Sequence, residues 1–446
     1  MMMNKLNSFI IWFLLLLLTP TLADAQKKLS LEEFIAIALE KNYSIRIMEN
    51  YEQIAGNNFS RGNAGLLPSL DLRSSFSGNL NNYEQNYSNG PDVNLRSIHN
   101  TTTFAGLQAN WMLFEGLRGQ IRYKQLGELK ELSVLNTRIS VENTMAQIAS
   151  EYFFYIQQKQ LFSNLQYAVD LSRERVRIEQ EHFLLGSGSK VQLLQAQVNL
   201  NADSSRLERQ YEVLNASKVR LSEIIADPDL NSSIVPSDTC IVVNSSYMYD
   251  DLLNEVLADN VAIIAAQKNM SITEYDYQMT KSKRYPYLNL NTAYGYNYNT
   301  YQSGTLTNQH AWGMNYSLTL GIKIYDGNNL RRQQKNAQME LENSRISLEQ
   351  TQQEVKADFI TIFNSYKNNL RLLELETQNL EVARENLDIA FERYRLGGLS
   401  GFELREVQKN LLEAEERMLS IEYQVKIAEI SLLQISGRII DDFTSL

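Results

Sequence analysis

A single cysteine, Cys240, occurs in the 446 residues, so a disulfide within the chain is excluded and stability must come from packing or assembly. Proline is almost as scarce. None lies between Pro91 and Pro228, and none follows Pro286, which leaves two long stretches free of the residue that most readily breaks a helix. The three histidines, His99, His182 and His310, are scattered with no Cys/His/Asp ligand spacing, so no metal and no cofactor is expected. No G-x-S-x-G, Walker, H-E-x-x-H or Rossmann pattern is present, and an enzyme is not expected either. Positive charge is in deficit: the formal net charge of −10 argues against nucleic acid as a partner. Hydrophobic runs of spanning length are missing too, since the longest covers only residues 9–18, short of the ~20 that a membrane-crossing helix needs.

That short run has a different meaning. Lys5, the apolar residues 9–18 and the Ala23-Asp24-Ala25 site are the three regions of a secretory signal peptide over residues 1–25, with cleavage expected before Gln26.

What the chain does have is one very long helical pattern. Residues 328–396 contain neither Gly nor Pro, and apolar residues recur three and four apart, among them Leu341, Leu348, Val355, Phe359, Ile362 and Tyr366. At ~1.5 Å per residue this predicts a helix roughly 100 Å long, which no single globular core can bury. It stops at Gly397-Gly398, after which a second apolar pattern (Phe402, Leu404, Val407, Leu411) returns.

Comparing the chain with itself shows two related halves. Leu39-Glu40-Lys41-Asn42 recurs as Leu257-Ala258-Asp259-Asn260, and Leu67-Pro68-Ser69-Leu70 as Tyr285-Pro286-Tyr287-Leu288, at an offset of 218. Phe114-Glu115-Gly116 recurs as Tyr325-Asp326-Gly327, and Phe183-Leu184-Leu185-Gly186 as Tyr394-Arg395-Leu396-Gly397, at 211. The first repeat, residues 26–226, is expected to hold a helix over 30–61, strands over 68–80 and 102–114, a long helix over 117–183, a tip at 185–189 and a return helix over 189–226. A linker follows at 227–248, where Ile234-Val235 and Cys240–Val243 are candidates for a short strand. The second repeat, 249–437, has a helix over 249–284, strands over 286–298 and 312–325, a long helix over 328–396, a tip at 396–400 and a return helix over 401–436; a tail covers 438–446.

The strands alternate strictly. Trp312, Met314, Tyr316, Leu318 and Leu320 interleave with Gly313, Asn315, Ser317 and Thr319, and Tyr294, Tyr296 and Tyr298 with Gly295 and Asn297. Trp111 and Leu113 continue the apolar set in the first half. These eight residues (Trp111, Leu113, Tyr294, Tyr296, Tyr298, Trp312, Tyr316, Leu318) are the candidates for a membrane-facing barrel surface. Strands of ~10 residues suit a tilted crossing of a bilayer. Four strands with open edges cannot span lipid, so several chains must pool them; three chains give twelve strands and room for a channel. A periplasmic coiled-coil scaffold or adaptor would account for the helices but not for two alternating hairpins.

The tip motifs, Phe183-Leu184-Leu185-Gly186 followed by Val191 and Leu194, and Tyr394-Arg395-Leu396-Gly397 followed by Phe402 and Leu404, resemble those of the TolC family of outer-membrane efflux and secretion channels. The resemblance implies a mainly α homotrimer with a twelve-stranded outer-membrane β-barrel, four strands per chain, continuous with a periplasmic α-helical barrel. It also implies outer-membrane lipid around the barrel, and a periplasmic adaptor (membrane fusion protein) and inner-membrane pump as partners. The adaptor would dock on Leu185, Gly186, Ser187, Gly188, Leu396, Gly397, Gly398 and Leu399. A periplasmic gate would be built from Glu403, Glu406 and Tyr394, with Gln192 and Gln195 at the matching places of the first repeat, while Leu399 stands where an arginine link is expected. Mutual repulsion of gathered glutamates would raise some of their pKa values.

Overall fold

The computed structural model describes residues 28–231 and 234–444; the leader expected over residues 1–25 lies outside them. In chain order the elements are β1 (Lys28–Leu29), α1 (Leu31–Lys41), α2 (Tyr43–Asn58), β2 (Ser69–Gln85), β3 (Val93–Glu115), α3 (Arg118–Leu184), α4 (Lys190–Ile224), β4 (Val235–Pro236), α5 (Tyr249–Asp259), α6 (Val261–Ser282), β5 (Tyr287–Thr300), β6 (Asn308–Gly321), α7 (Asn329–Arg395), α8 (Gly401–Ile435) and α9 (Ile439–Thr444). The protein is mainly helical with a small antiparallel sheet. It forms two units, one from the segments up to Ile47, Arg138–Val261 and Gln353 onward, the other from Met48–Thr137 and Ala262–Gln352.

The first unit is a helical assembly. Its main core gathers Phe34, Ile35, Met145, Ile148, Tyr152, Ile156, Leu221 and Ile430. The linker feeds this core: Val235 is buried, β4 runs parallel to β1, and Ile241 inserts its side chain although residues 240–243 form no strand.

The helices read over 30–61 and 249–284 are each broken in two, and asparagine is the cause. Asn42 adopts an extended ψ of 128° after α1. Its Oδ1 accepts from the backbone N–H of Ser44 at 2.9 Å, which starts α2. Its Nδ2 donates to the carbonyl of Ile224, the last residue of α4, at 2.8 Å. Asn260 repeats the arrangement, with ψ 119° after α5 and a 2.9 Å bond from Nδ2 to the carbonyl of Ile435 at the end of α8. Each asparagine thus opens one helix and satisfies an orphan carbonyl of another.

The two long hairpins differ in the balance of polar and apolar contacts that join them. Between α3 and α4 runs a polar seam: Ser172 Oγ donates to Asp203 Oδ2 at 2.6 Å, Gln210 Nε2 to Gln158 Oε1 at 2.8 Å, and Ser217 Oγ to Glu151 Oε1 at 2.9 Å. Asp203, Gln210 and Ser217 are buried and lie seven residues apart. Between α7 and α8 an apolar cluster dominates, with Leu380, Leu387, Ala390, Tyr394, Leu404, Leu411 and Ala414, joined by the ion pairs Arg384–Glu415 and Arg417–Glu376.

The second unit carries the sheet, in the order β2-β3-β5-β6. Its register brings the large residues to one face: Leu72, Leu107, Tyr294 and Met314 lie side by side, as do Trp111, Leu290 and Leu318, and Ala105, Tyr296 and Trp312. The other face holds the row Gly106, Gly295 and Gly313. A Cβ on Gly106 would come within 2.5 Å of the Gly295 Cα and 2.9 Å of the Phe104 ring, so these glycines permit a close approach and Phe104 covers them.

Strand limits differ from those read from the sequence. β2 and β3 run on to Gln85 and back to Val93 because their outer residues, Asn81, Glu84 and Gln85 among them, still pair although they no longer alternate. β6 stops at Gly321, opposite Tyr287, since the preceding Pro286 has no N–H to extend the ladder; residues 322–325 are not strand. Replacing Asn260 by Ala, or Asn42 by Ala, removes a bond to a helix-terminal carbonyl and should cost about 1–2 kcal/mol each. A lowered thermal-unfolding midpoint in detergent is the expected result, and an unchanged midpoint in both variants would show that these bonds contribute nothing.

Candidate functional site

Both tips are built from the same two capping devices placed three residues apart. At the end of α3, Gly186 takes a φ of +74°, its N–H bonds to the Phe183 carbonyl at 3.2 Å and the Ser187 N–H reaches back to His182 at 2.9 Å. At the end of α7, Gly397 has the same φ of +74°, with bonds from its N–H to Tyr394 at 3.0 Å and from Gly398 to Arg393 at 2.8 Å. This is the Schellman closure that favours glycine at the left-handed position. The chain then restarts at Ser189 and Ser400, each in a reciprocal capping box with the residue three further on, Gln192 and Glu403.

Glu403 is therefore engaged within its own chain. Its Oε2 accepts from the Ser400 N–H at 3.0 Å and from the Ser400 hydroxyl at 2.7 Å. These donors, the backbone one first, hold its carboxyl below the usual carboxylate range, and Arg393 adds to the effect. Within one chain the Ser400 bonds thus act on Glu403 in the direction opposite to repulsion between gathered copies. The lowered pKa means that the box is complete above the ordinary carboxylate value and is lost only as pH falls through the lower one. Glu406, one turn on, is exposed and bonds to no described residue, and Gln195 makes only a 3.4 Å contact to Asn199.

Large apolar side chains surround both turns in the open. Leu185, Leu396 and Phe402 are each more than four-fifths exposed, and Leu184 and Val191 nearly as much. Gly188 and Gly398 differ in their room for a side chain. A Cβ at Gly188 would meet the His182 Cβ at 2.8 Å and its backbone carbon at 3.1 Å, whereas at Gly398 the nearest atom is a carbonyl oxygen at 3.4 Å. Ser187 and Leu399 complete the two turns.

Just inside the tips lies a buried charged network that motif reading did not find. Tyr394 is 3% exposed and its hydroxyl donates to Glu179 Oε1 at 2.7 Å, joining α7 to α3. Burial first, then the charge of Glu179, keep that phenol protonated far above its ordinary pKa. Arg175, one turn before Glu179, is 4% exposed, with Nε and Nη1 lacking any partner among the described residues. Burial lowers the pKa of this guanidinium, and the neighbouring Arg405 acts in the same direction. Arg405 itself forms a two-pronged pair with Asp203, at 2.7 and 2.8 Å, tying α8 to α4. Gly401 packs against the group, a Cβ there lying 3.1 Å from Glu179 Oε1 and 3.2 Å from an Arg175 nitrogen. The sequence signal that could have located this network is the seven-residue recurrence of polar residues, Ser172 with Glu179 and Asp203 with Gln210, inside otherwise apolar helix faces.

On the sheet, seven of the eight candidate surface residues share one face: Trp111, Tyr294, Tyr296, Tyr298, Trp312, Tyr316 and Leu318. Leu113 has no place in the register. The register slips between Met112 and Phe114, leaving Leu113 unpaired at a bulge and giving Phe114 the place opposite Leu288. Trp312, Tyr316 and Leu72 are about three-quarters or more exposed. Among the described residues no helix is long and apolar enough to cross a membrane, and no group of three or more His, Cys, Asp or Glu is placed to hold a metal ion.

The family model for outer membrane efflux proteins matches residues 34–226 and 252–438, and the chain belongs to that family, whose members are transport channels. It is similar to the outer membrane efflux protein BepC of Brucella suis biovar 1 (strain 1330), 20% identical over 348 residues that cover 77% of this chain and 74% of that one. In fold it is similar to the outer membrane protein VceC of Vibrio cholerae, with a TM-score of 0.74 at 15% identity over 91% of this chain and 96% of that one. The CmeC outer membrane channel of Campylobacter jejuni gives a TM-score of 0.72 at 16% identity, covering 93% and 88%.

The contrast between the two glycines gives a direct test. Gly188→Ala should disturb the first tip and lower export severalfold with normal protein levels, whereas Gly398→Ala should be tolerated; equal activity of the two variants would contradict the steric account. Asp203→Asn should destabilise the protein by on the order of 3 kcal/mol, because it strips the buried pair of its negative member. An unfolding midpoint in detergent equal to that of the parent chain would show that the pair is dispensable.

Proposed function

We propose that three copies of this chain form a channel-tunnel of the outer membrane that passively conducts substrates delivered by an inner-membrane pump through a periplasmic adaptor. The observation that carries this reading is the sheet face. Leu72, Trp312, Tyr316 and Leu320 lie open on one continuous apolar surface, far more than a soluble domain leaves uncovered, and lipid is the solvent that suits it. β2 and β6 each lack a partner on one side, and edges in lipid must be closed. Three sheets closing on one another give twelve strands with the glycine and asparagine face turned to a wet lumen. The leader over residues 1–25 brings the chain to this compartment. The tips present Leu185, Gly186, Ser187, Gly188, Leu396, Gly397, Gly398 and Leu399 to the adaptor, where exposed leucines offer apolar cover and the glycines allow close approach.

At the tip end of the tunnel Glu403 and Glu406 from three chains supply a ring of negative potential, with Tyr394 buried behind it and Gln192 and Gln195 at the equivalent places of the first repeat. Glu403→Gln with Glu406→Gln keeps the cap, since Gln192 caps Ser189 by the same geometry, and removes the charge. Detergent-extracted protein should have the native mass of a trimer, and in planar bilayers the double variant should lose cation preference. In the parent chain the Ser400 bonds that lower the Glu403 pKa should help to keep that preference as the solution is made mildly acidic, against the repulsion between copies. A monomeric or dimeric mass refutes the assembly; unchanged selectivity in the double variant refutes the gate.

A further inference from the structure

A cavity of about 550 Å³ opens where the sheet of the second unit gives way to its helices, well within the ~300–1,000 Å³ of small-molecule sites. It is lined by the loop before β2, the end of β3, the start of α3 and the last turns of α6. Part of the lining is apolar: Leu66, Met112, Leu113, Phe114 and Met279. The charged part balances, with the guanidiniums of Arg118 and Arg122 against the carboxylates of Glu115 and Asp276.

These charged groups are only lightly engaged. Arg118 and Glu115 form one ion pair at 2.9 Å, with 44% and 35% of their side chains exposed, and a pair so open to water contributes little. Arg122 uses Nη1 to donate to Gln125 Oε1 and bonds to no other described residue, although a guanidinium has five N–H donors. Asp276 accepts from Gln125 Nε2 through Oδ1 at 2.7 Å, and its Oδ2 has no partner among the described residues. The fold does not require the set either. The second half makes the same strand-to-helix turn with Asn329 and Gln333 at the places of Arg118 and Arg122. There Asp326, the counterpart of Glu115, caps its helix by accepting from the Leu330 N–H at 3.0 Å, whereas Glu115 turns to Arg118.

Position narrows the occupant. The apolar face of the sheet ends at this cavity, in the row Phe114, Leu288 and Leu320. One row above, Trp111 donates its indole N–H to the Leu66 carbonyl at 3.1 Å, and Tyr285 and Tyr325 lie exposed at the same end of the sheet. Aromatic rings with a polar handle gather where hydrocarbon meets headgroups.

We propose that the cavity binds the headgroup of a zwitterionic phospholipid, of phosphatidylethanolamine chemistry. Arg118 and Arg122, one turn apart on α3, hold the phosphate, for which a guanidinium is the matching donor. Glu115 and Asp276 hold the ammonium, and the acyl chains run from Leu66, Leu113 and Phe114 onto the sheet face. A purely anionic headgroup would satisfy the arginines but face the two carboxylates unpaired, so charge balance selects the zwitterion. The site rests on the reading of that sheet face as lipid-covered.

The test titrates the full-length protein in detergent with phosphatidylethanolamine or phosphatidylglycerol and counts bound lipid by native mass spectrometry. The parent should bind one phosphatidylethanolamine per chain in preference to phosphatidylglycerol. Arg118→Gln with Arg122→Gln should weaken that binding at least about tenfold, whereas Arg331→Gln with Arg332→Gln, which removes the same charge from the exposed start of α7, should leave it unchanged. Glu115→Gln with Asp276→Asn should reverse the preference toward phosphatidylglycerol. Glycerophosphoethanolamine, the headgroup without chains, should compete only at far higher concentration. Equal binding by the parent and the Arg118 and Arg122 variant, an equal loss in the α7 control, no reversal in the carboxylate variant, or competition by the chain-free headgroup at lipid concentrations overturns the site. Flotation of the parent chain with phosphatidylethanolamine vesicles separates this from the reading beneath it: protein that inserts but gives any of those results keeps its lipid-covered sheet, and protein that does not insert loses both.

Discussion

A helix of 67 residues has no interior of its own, and this chain contains two, α3 and α7. Every stretch of such a helix must find lateral cover along a length that no compact core provides. Much of the remaining architecture answers that requirement. The 35-residue helices α4 and α8 fold back along α3 and α7 from tight tips. Asn42 and Asn260 hold the far ends of those return helices through bonds to Ile224 and Ile435. Where no cover exists within one chain, as at Ile54 and Met339, apolar side chains stay in the open.

The two hairpins meet the requirement differently. An apolar seam such as Leu380, Leu387, Leu404 and Leu411 is strong but tolerant, because one leucine layer resembles the next and a shifted register still buries hydrocarbon. The α3–α4 seam is intolerant. Sliding α4 by one layer would separate Asp203 from Ser172, Gln210 from Gln158 and Ser217 from Glu151, and each buried polar group so orphaned costs roughly 1–3 kcal/mol. Heptad polar layers of this kind fix alignment in coiled coils at some expense of stability. Arg405 then transmits that alignment to the second hairpin, since its guanidinium grips the same Asp203 that belongs to the seam.

Much of this was legible in the sequence, for physical reasons that also mark where reading failed. A proline-free helix between glycine turns announces itself, and so does period-two alternation in Trp312, Met314 and Tyr316, because both patterns repeat many times. Single-residue events do not. The bulge that takes Leu113 out of the register is invisible in a strand whose neighbours, Met112 and Phe114, are also apolar. The breaks at Asn42 and Asn260 are tertiary in origin, since each asparagine bonds to a helix end far along the chain. The network of Arg175, Glu179 and Tyr394 was hidden for a similar reason: charged residues on long helices ordinarily face water, and only the packing of α3 against α7 and α8 shows that these do not.

The tips separate what the fold needs from what it does not. Ser189 and Ser400 start their helices with the same reciprocal bonds, one closed by Gln192 and the other by Glu403. A neutral amide suffices for the cap in the first half, so the negative charge in the second is surplus to capping. Helix-dipole stabilisation of Glu403 is available but modest at an exposed site. It also does not explain Glu406, which sits exposed one turn further along without a partner among the described residues. Two carboxylates on one helix start, one held ionised by Ser400 and the other free, differ from the two neutral amides at the equivalent positions of the first half. The asymmetry between the halves is thus one of charge rather than of backbone, and it is a charge that the cap does not require.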